Sequence, residues 1–441
     1  MFIINIWGNN IIAKIGNRKG INMENQENKK HLFLKGTLAG IISILLIGAV
    51  VFVIFNKQGY IHIGTDGQIF VQDTSVTETQ DGIGNKVLTK LNTLEQVLNS
   101  FYFADVDDSN ASENIYKAYL NSFGDKYTVY YTAAEYADFT QAVTGNYYGI
   151  GVVVSKNDDG TIKVVLPYEN CPGSEAGMLI GDVITKVNGV SVMDRDLDAV
   201  VAEIKGAEGS TVEIELVREN VADPITLTVE RRKIDIPTVE HKMLDNKIGY
   251  ISVAQFDAVT YAQFLDAYKA LTADGMLGLV IDIRSNPGGS LDTVVNMLDE
   301  ILPDGMIVYT VDKDGKKIEY KGKNTDVIKV PLAVLVNGDS ASASEIFAGA
   351  VQDYGVGTIV GTTTFGKGIV QTVKQLTDGS AIKFTISKYF TPKGQEIQGK
   401  GVTPDVVIDL DEAVKTKTSI TLEEDNQLQK AIEIIKGKMA Q

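Results

Sequence analysis

The stretch VPLAVLVNGDSASASEIFAGAVQDYG, Val330 to Gly355, decides the reading of the fold. It opens with a continuous apolar run of strand length, passes through a polar serine-rich turn, and continues as a run of helix length. The same order occurs upstream in LGLVIDIRSNPGGSLDTVVNMLDEIL, Leu277 to Leu302, where the turn is Ser285-Asn286-Pro287-Gly288-Gly289. Strand, turn and helix repeated in this way imply an α/β core whose functional groups sit at the turns.

The first of these turns holds Ser340, Ser342 and Ser344. A serine between a buried strand and a helix presents its hydroxyl at an exposed bend, beside a helix N-terminus that favours negative charge. The spelling Ser342-Ala343-Ser344-Glu345 also fits the capping box S-x-x-E, in which the serine only caps a helix. A nucleophilic serine needs a base, usually histidine. Of the three histidines, His31 precedes an apolar run, His62 lies in a polar tether, and His241 sits in a polar lead-in to a strand. Only His241 falls in the α/β unit, where its context favours a surface role, so lysine is the favoured base for a serine hydrolase on this chain.

Lys367 lies in GTTTFGKG, Gly361 to Gly368, which has the G-x-x-x-x-G-K spacing of a phosphate-binding loop. Gly368 stands where that motif places its Mg²⁺-ligating hydroxyl, and the following text reads as two β runs joined through Asp378-Gly379, without the required helix. Lysine serves as a base when desolvation lowers its pKa from about 10.4. Glycines on both sides of Lys367 allow the close backbone approach that such burial needs.

The chain has 441 residues, enough for two or three folded units and a targeting segment. A net charge of −16 without a dense basic stripe argues against general nucleic-acid binding. A single cysteine, Cys171, excludes an intrachain disulfide and a Cys-based zinc site, and no metal or cofactor is implied.

Gly36 to Phe55 is an uncharged apolar run of 20 residues, long enough to span roughly 30 Å of hydrocarbon. Arg18, Lys19, Lys29, Lys30 and Lys35 precede it and Lys57 follows, which places the N-terminus in the cytoplasm. The expectation is a single-pass cell-membrane protein: a cytoplasmic segment 1–31, an uncleaved anchor 32–55, and everything beyond it extracytoplasmic. The text NRKGIN before Met23 can be encoded by a purine-rich stretch resembling a ribosome-binding site. Translation then starts at Met1 or at Met23, and residues 1–22 are absent in the second case.

Residues 56–80 read as a linker. Val87, Leu88, Leu91, Leu94, Val97, Leu98 and Phe101 repeat at three and four, opening a helical region, 81–144, in which nothing suggests chemistry. From Gly145 the text turns to strands, with a hairpin signal at Asn188-Gly189 and a helix at DLDAVVAEIKG. Residues 145–232 resemble a PDZ domain. Tyr148-Gly149-Ile150-Gly151 would then present backbone amides to a peptide's terminal carboxylate, with the peptide adding a strand beside Val152 to Ser155. The α/β unit covers 233–410, and 411–441 reads as a C-terminal helical segment.

NGDSASASEIFAGAVQDYG, followed by the segment from GTTTFGKG to GVTPD, resembles the carboxyl-terminal processing peptidases, the S41 family of serine proteases. The resemblance implies an α+β multidomain chain: transmembrane helix, small helical region, PDZ domain and α/β serine protease core. It places the nucleophile on Ser342, the base on Lys367 and the lysine-orienting glutamine on Gln371. Backbone amides of Gly288 and Ala343 become the oxyanion donors, and Asp353 an acidic support. It further implies an endopeptidase acting on protein or peptide substrates with accessible C-terminal tails, and in many members a homodimer. The sequence departs from the family at Ile180 and Val183, where relatives often carry Pro and Arg. A non-catalytic PDZ scaffold or chaperone on the same fold is the alternative.

Overall fold

The computed structural model describes residues 84–105, 108–324, 327–415, 417 and 420–440, with the backbone of Ile61–Ile63 and Ile69–Val71. The expected anchor and the cytoplasmic segment lie outside the described residues, and no described helix is long and apolar enough to cross a membrane. Within the expected linker, Ile61–Ile63 and Ile69–Val71 pair as an antiparallel hairpin. The chain forms two compact units, residues 1–107 and 108–441. The first contains α1 (Gly84–Phe101), the helix announced by the apolar stripe.

The boundary divides the region expected to be uniformly helical. In the second unit, α2 (Ala111–Asn121) is followed by a three-residue strand β1 (Val129–Tyr131) and by α3 (Ala133–Thr144). Thr132 and Glu135 form a capping box at the start of α3, and Gly145 ends it in the left-handed conformation. Next, β2 (Asn146–Gly149) leads to β3 (Val152–Lys156), β4 (Ile162–Pro167), β5 (Val183–Val187), α4 (Leu197–Ile204), β6 (Thr211–Val217), β7 (Ile225–Glu230) and β8 (Arg232–Asp235). The antiparallel sheet order is β7-β6-β5-β4-β3, which leaves β3 as an edge. Asn188 and Gly189 both adopt positive φ, as a two-residue hairpin requires. β2 pairs with β8 outside this sheet, so Asn146–Gly149, near the start of the PDZ-like unit, belong to a two-stranded link.

The α/β core is built from β9 (Val239–Leu244), β10 (Ile248–Val253), α5 (Thr260–Ala273), β11 (Gly278–Asp282), α6 (Leu291–Asp299), β12 (Gly305–Asp312), β13 (Lys317–Gly322), β14 (Leu332–Val336), α7 (Ala343–Tyr354), β15 (Gly357–Gly361), β16 (Ile369–Gln375), β17 (Ala381–Phe390), β18 (Val406–Val407) and α8 (Asn426–Met439). One sheet runs β9-β10-β11-β14-β15-β18, parallel from β10 onward; the other runs β13-β12-β17-β16, with β1 paired to β17.

Strands β11 and β14 are buried at every position because both faces are covered. Leu279, Ile281, Val334 and Val336 pack in the cluster that contains Phe264 of α5, Val294 of α6 and Phe347 of α7. The alternate residues Val280, Ala333 and Leu335 pack with Leu428, Ala431 and Ile435 of α8. The period of two thus sends alternate side chains to opposite helical layers. It also brings the turns after β11 and β14 to the carboxyl ends of neighbouring parallel strands, where α/β sheets place their sites.

Candidate active site

Two of the three serines are spent on joining these turns. Buried Ser340 donates its hydroxyl to the Ile283 carbonyl at 2.8 Å, and buried Ser344 donates to the Asn286 carbonyl at 2.8 Å. Ser342, between them, lines a cavity of about 460 Å³ together with Gly288, Gly289, Lys367 and Gln371. Its backbone stands at φ 57° and ψ −111°, a positive-φ conformation outside the left-handed helical region that costs a non-glycine residue and is held here by its surroundings.

The capping-box glutamate contributes more than a cap. The Glu345 carboxylate is fully buried and accepts four hydrogen bonds: Ser342 N–H and Lys367 N–H at 2.8 Å on Oε2, Thr364 Oγ1 and Gly366 N–H at 2.7 Å on Oε1. Tyr389 repeats the bridge from the other side. Its hydroxyl donates to the Ser342 carbonyl at 3.0 Å and to the Lys367 carbonyl. Burial pushes the phenol pKa well above its usual value, which keeps it a donor.

Burial, and secondarily the nearby charge of Lys383, depresses the Lys367 pKa. Glu345 opposes that shift, and Lys126 adds to it. The Lys367 ammonium lies 4.7 Å from the ring centroid of Tyr127. Tyr127 belongs to the region in which the sequence suggests no chemistry. Its turn is fixed by Asp125, which accepts the Tyr127 amide at 3.0 Å and the Thr385 hydroxyl of β17 at 2.7 Å. Phe139 and Val143 of α3 also line the cavity. No local periodicity announces these contacts, because β1 and its flanks are placed by β17, far away in sequence.

The turn after β11 is locked by buried Asn286, which donates to the Val253 carbonyl at 2.9 Å and accepts the Gly288 amide at 2.9 Å. A Cβ on Gly288 would stand 2.8 Å from the Ser342 Cβ, so only glycine permits this approach. The Gly288 amide, expected as an oxyanion donor, is thus already engaged. The amides of Ala343 and of the next residue, Gly289, have no acceptor among the described residues.

Gln371 reaches the cavity from β16, but its amide donates to the Ile369 carbonyl at 3.4 Å and makes no described hydrogen bond to Lys367. Asp353 lies at the far end of α7, accepting the Lys393 amide at 2.7 Å and the Gln395 side chain at 2.9 Å, where it pins the turn after β17. His241 is exposed on edge strand β9. After Gly368 the chain enters β16, so no helix N-terminus faces Lys367 as a phosphate loop would require.

In the PDZ-like unit, Tyr148 and Gly149 are held in the β2–β8 ladder, Ile150 is buried in the unit's core, and Gly151 has φ 71°. Gly151 therefore turns the chain into edge strand β3, beside α4.

A model described as peptidase family S41 matches residues 247–408, and a PDZ domain model matches residues 163–218. The chain is 36% identical over 326 residues to the "Probable CtpA-like serine protease" of Staphylococcus aureus strain COL, covering 73% of this chain and 65% of that protein's length. It is 34% identical over 333 residues to the "Carboxy-terminal processing protease CtpA" of Bacillus subtilis strain 168, covering 75% and 71%. A solved photosystem II D1 C-terminal processing protease is 31% identical, with coverages of 72% and 86% and a TM-score of 0.43.

Proposed function

Because the chain belongs to the carboxy-terminal processing proteases of peptidase family S41, we propose that it is a serine endopeptidase working through Ser342 and Lys367. The observation that carries this reading is the shared cavity: Ser342, desolvated Lys367 and the unpaired amides of Gly289 and Ala343 converge there, while Ser340 and Ser344 are buried and bonded elsewhere.

Neutral Lys367 Nζ takes the hydroxyl proton as Ser342 Oγ bonds to the scissile carbonyl carbon. The amides of Ala343 and Gly289 hold the resulting oxyanion, with Gly288 shaping their approach. Collapse breaks the C–N bond, Lys367 returns the proton to the leaving amine, and water releases the acyl group from Ser342. In this scheme Gln371 swings toward Lys367 when substrate fills the cavity, and Asp353 acts through the turn it pins.

Substrates are proteins whose C-terminal tails enter the PDZ unit at Gly149 to Gly151 and pair with β3. The apolar run Gly36 to Phe55 holds the enzyme in the cell membrane with its peptidase unit outside, and the assembly is a homodimer. The test is substrate capture with Ser342→Ala. Tailed proteins retained by that variant and cut by the parent protein support the reading. Cutting of those same proteins by Ser342→Ala would overturn it.

A further inference from the structure

The groove between β3 and α4, where a tail would lie, is lined by Ile150, Val152, Val154, Ile184, Val201 and Ile204, and it is closed by Tyr147. The free space left is about 40 Å³. That is far below the roughly 150 Å³ of an apolar cavity that takes up benzene, so no bulky apolar side chain fits while Tyr147 is in place. Tyr147 comes from β2, opposite Ile234 of β8, and not from the PDZ sheet itself. Its ring lies on Gly149, where a Cβ would be 2.7 Å from the ring edge, and the Lys205 ammonium sits 5.1 Å from its centroid.

The backbone amide of Gly151, where the chain turns into β3, lies close enough to the Tyr147 phenol to act on it. Burial, with Tyr168 and Cys171 nearby, pushes the phenol pKa up to about 12, so the group stays a neutral hydroxyl beside this amide. A hydroxyl oxygen beside the Gly151 amide and an apolar ring among the aliphatic side chains of the groove stand where a peptide terminus would bring its carboxylate and its apolar last side chain.

We propose that Tyr147 is an internal competitor for the tail site and sets which tails are accepted, since a tail binds only by displacing its ring and its hydroxyl. This rests on the tail-binding reading above. Only tails that contribute both an apolar end and a free carboxylate recover what Tyr147 gives up. Tyr147 lies three residues beyond the end of α3, whose Phe139 and Val143 line the cavity that holds Ser342 and Lys367, so occupancy of the groove is read within a few residues of that cavity.

The test uses the full chain carrying Ser342→Ala, so that nothing is cut, and a fluorescein-labelled decapeptide ending in two apolar residues, either as free acid or amidated. Tyr147→Phe removes only the competing oxygen and should tighten binding of the free acid about threefold, as loss of one net hydrogen bond implies. Tyr147→Ser also empties the groove and should tighten it about tenfold or more. Unchanged or weaker free-acid binding in Tyr147→Phe, while the parent still prefers acid over amide, overturns the competitor and leaves tail recognition standing. Equal binding of acid and amide by the parent overturns both.

Discussion

Ser342 and Lys367, one opening a helix and the other in a loop before a strand, donate their backbone amides to the same oxygen, Glu345 Oε2, at 2.8 Å each. The spacing of the two residues proposed as nucleophile and base is therefore held by a buried carboxylate whose hydrogen bonds go to their backbone amides.

Glu345→Gln tests that relationship. The amide replaces one carboxylate oxygen with an NH₂ group, and whichever way it turns, it confronts at least one backbone N–H: Gly366 on one side, Ser342 and Lys367 on the other. The expected outcome is a loss of about two powers of ten in kcat/KM, as a misplacement of reacting groups on the order of 1 Å produces. A stability loss of about 1–3 kcal/mol should accompany it, from buried donors left unpaired. Peptidase kinetics with chemical denaturation separates the two effects, and parent-like kinetics would remove Glu345 from the positioning role.

The three serines should divide cleanly between chemistry and structure. Ser342→Ala should abolish cleavage and leave the unfolding midpoint close to the parent's. Ser340→Ala leaves the Ile283 carbonyl only the Asn286 amide at 3.4 Å and removes the acceptor of the Asn337 amide, and should cost about 1–3 kcal/mol while a folded population still cleaves. Loss of turnover in Ser340→Ala with full folding, together with activity in Ser342→Ala, would mean the nucleophile is the wrong serine.

The C-terminal segment carries a structural role that its sequence conceals. Arg284, at the end of β11, bonds to Asp282 at 2.6 Å and to Asp425, just before α8, at 2.7 Å, and all three are largely buried. Asp425→Asn leaves part of the guanidinium charge uncompensated and should destabilise the fold by about 3–5 kcal/mol. Urea unfolding measures it. A loss below 1 kcal/mol would show that Asp282 alone satisfies Arg284.

What could be read in the sequence followed from local chemistry. β11 and β14 were legible because strands covered on both faces need unbroken apolar runs. The Asn188-Gly189 hairpin was legible because its two positive φ angles select those residues. The strand Val129–Tyr131 was not, since three residues have no period and take their conformation from Ala381 to Lys383 of β17. Tyr127 is concealed in the sequence for the same reason. Glu345 was visible only as half of a capping box: the text shows its spacing from Ser342, and folding alone delivers Gly366 and Lys367 to its other lone pairs. Asp425 looked like one more solvated acid in an acidic stretch until Arg284 came to face it.

In the proposed scheme Lys367 acts only when neutral, so activity should rise with pH through the folded-state pKa of this amine, and burial places that rise below the usual lysine value. Lys383 lines the same cavity, and its positive charge is the second cause that lowers the Lys367 pKa. Replacing it by a neutral residue of similar length, Lys383→Met, removes a repulsion felt only by protonated Lys367. The ammonium form gains relative to the amine, the pKa rises, and the ascending limb of kcat/KM against pH should move to higher pH. The plateau should stay near the parent's, because Lys383 donates to none of the reacting atoms in the proposed scheme. Tyr127, Glu345 and Lys126 still face Lys367 in this variant, so the displacement reports Lys383 alone. Lys367→Arg provides the control: a guanidinium stays protonated across the range, so that variant should remain inactive at every pH. A limb that stays in place in Lys383→Met, or that moves to lower pH, would falsify the assignment of the ascending limb to Lys367.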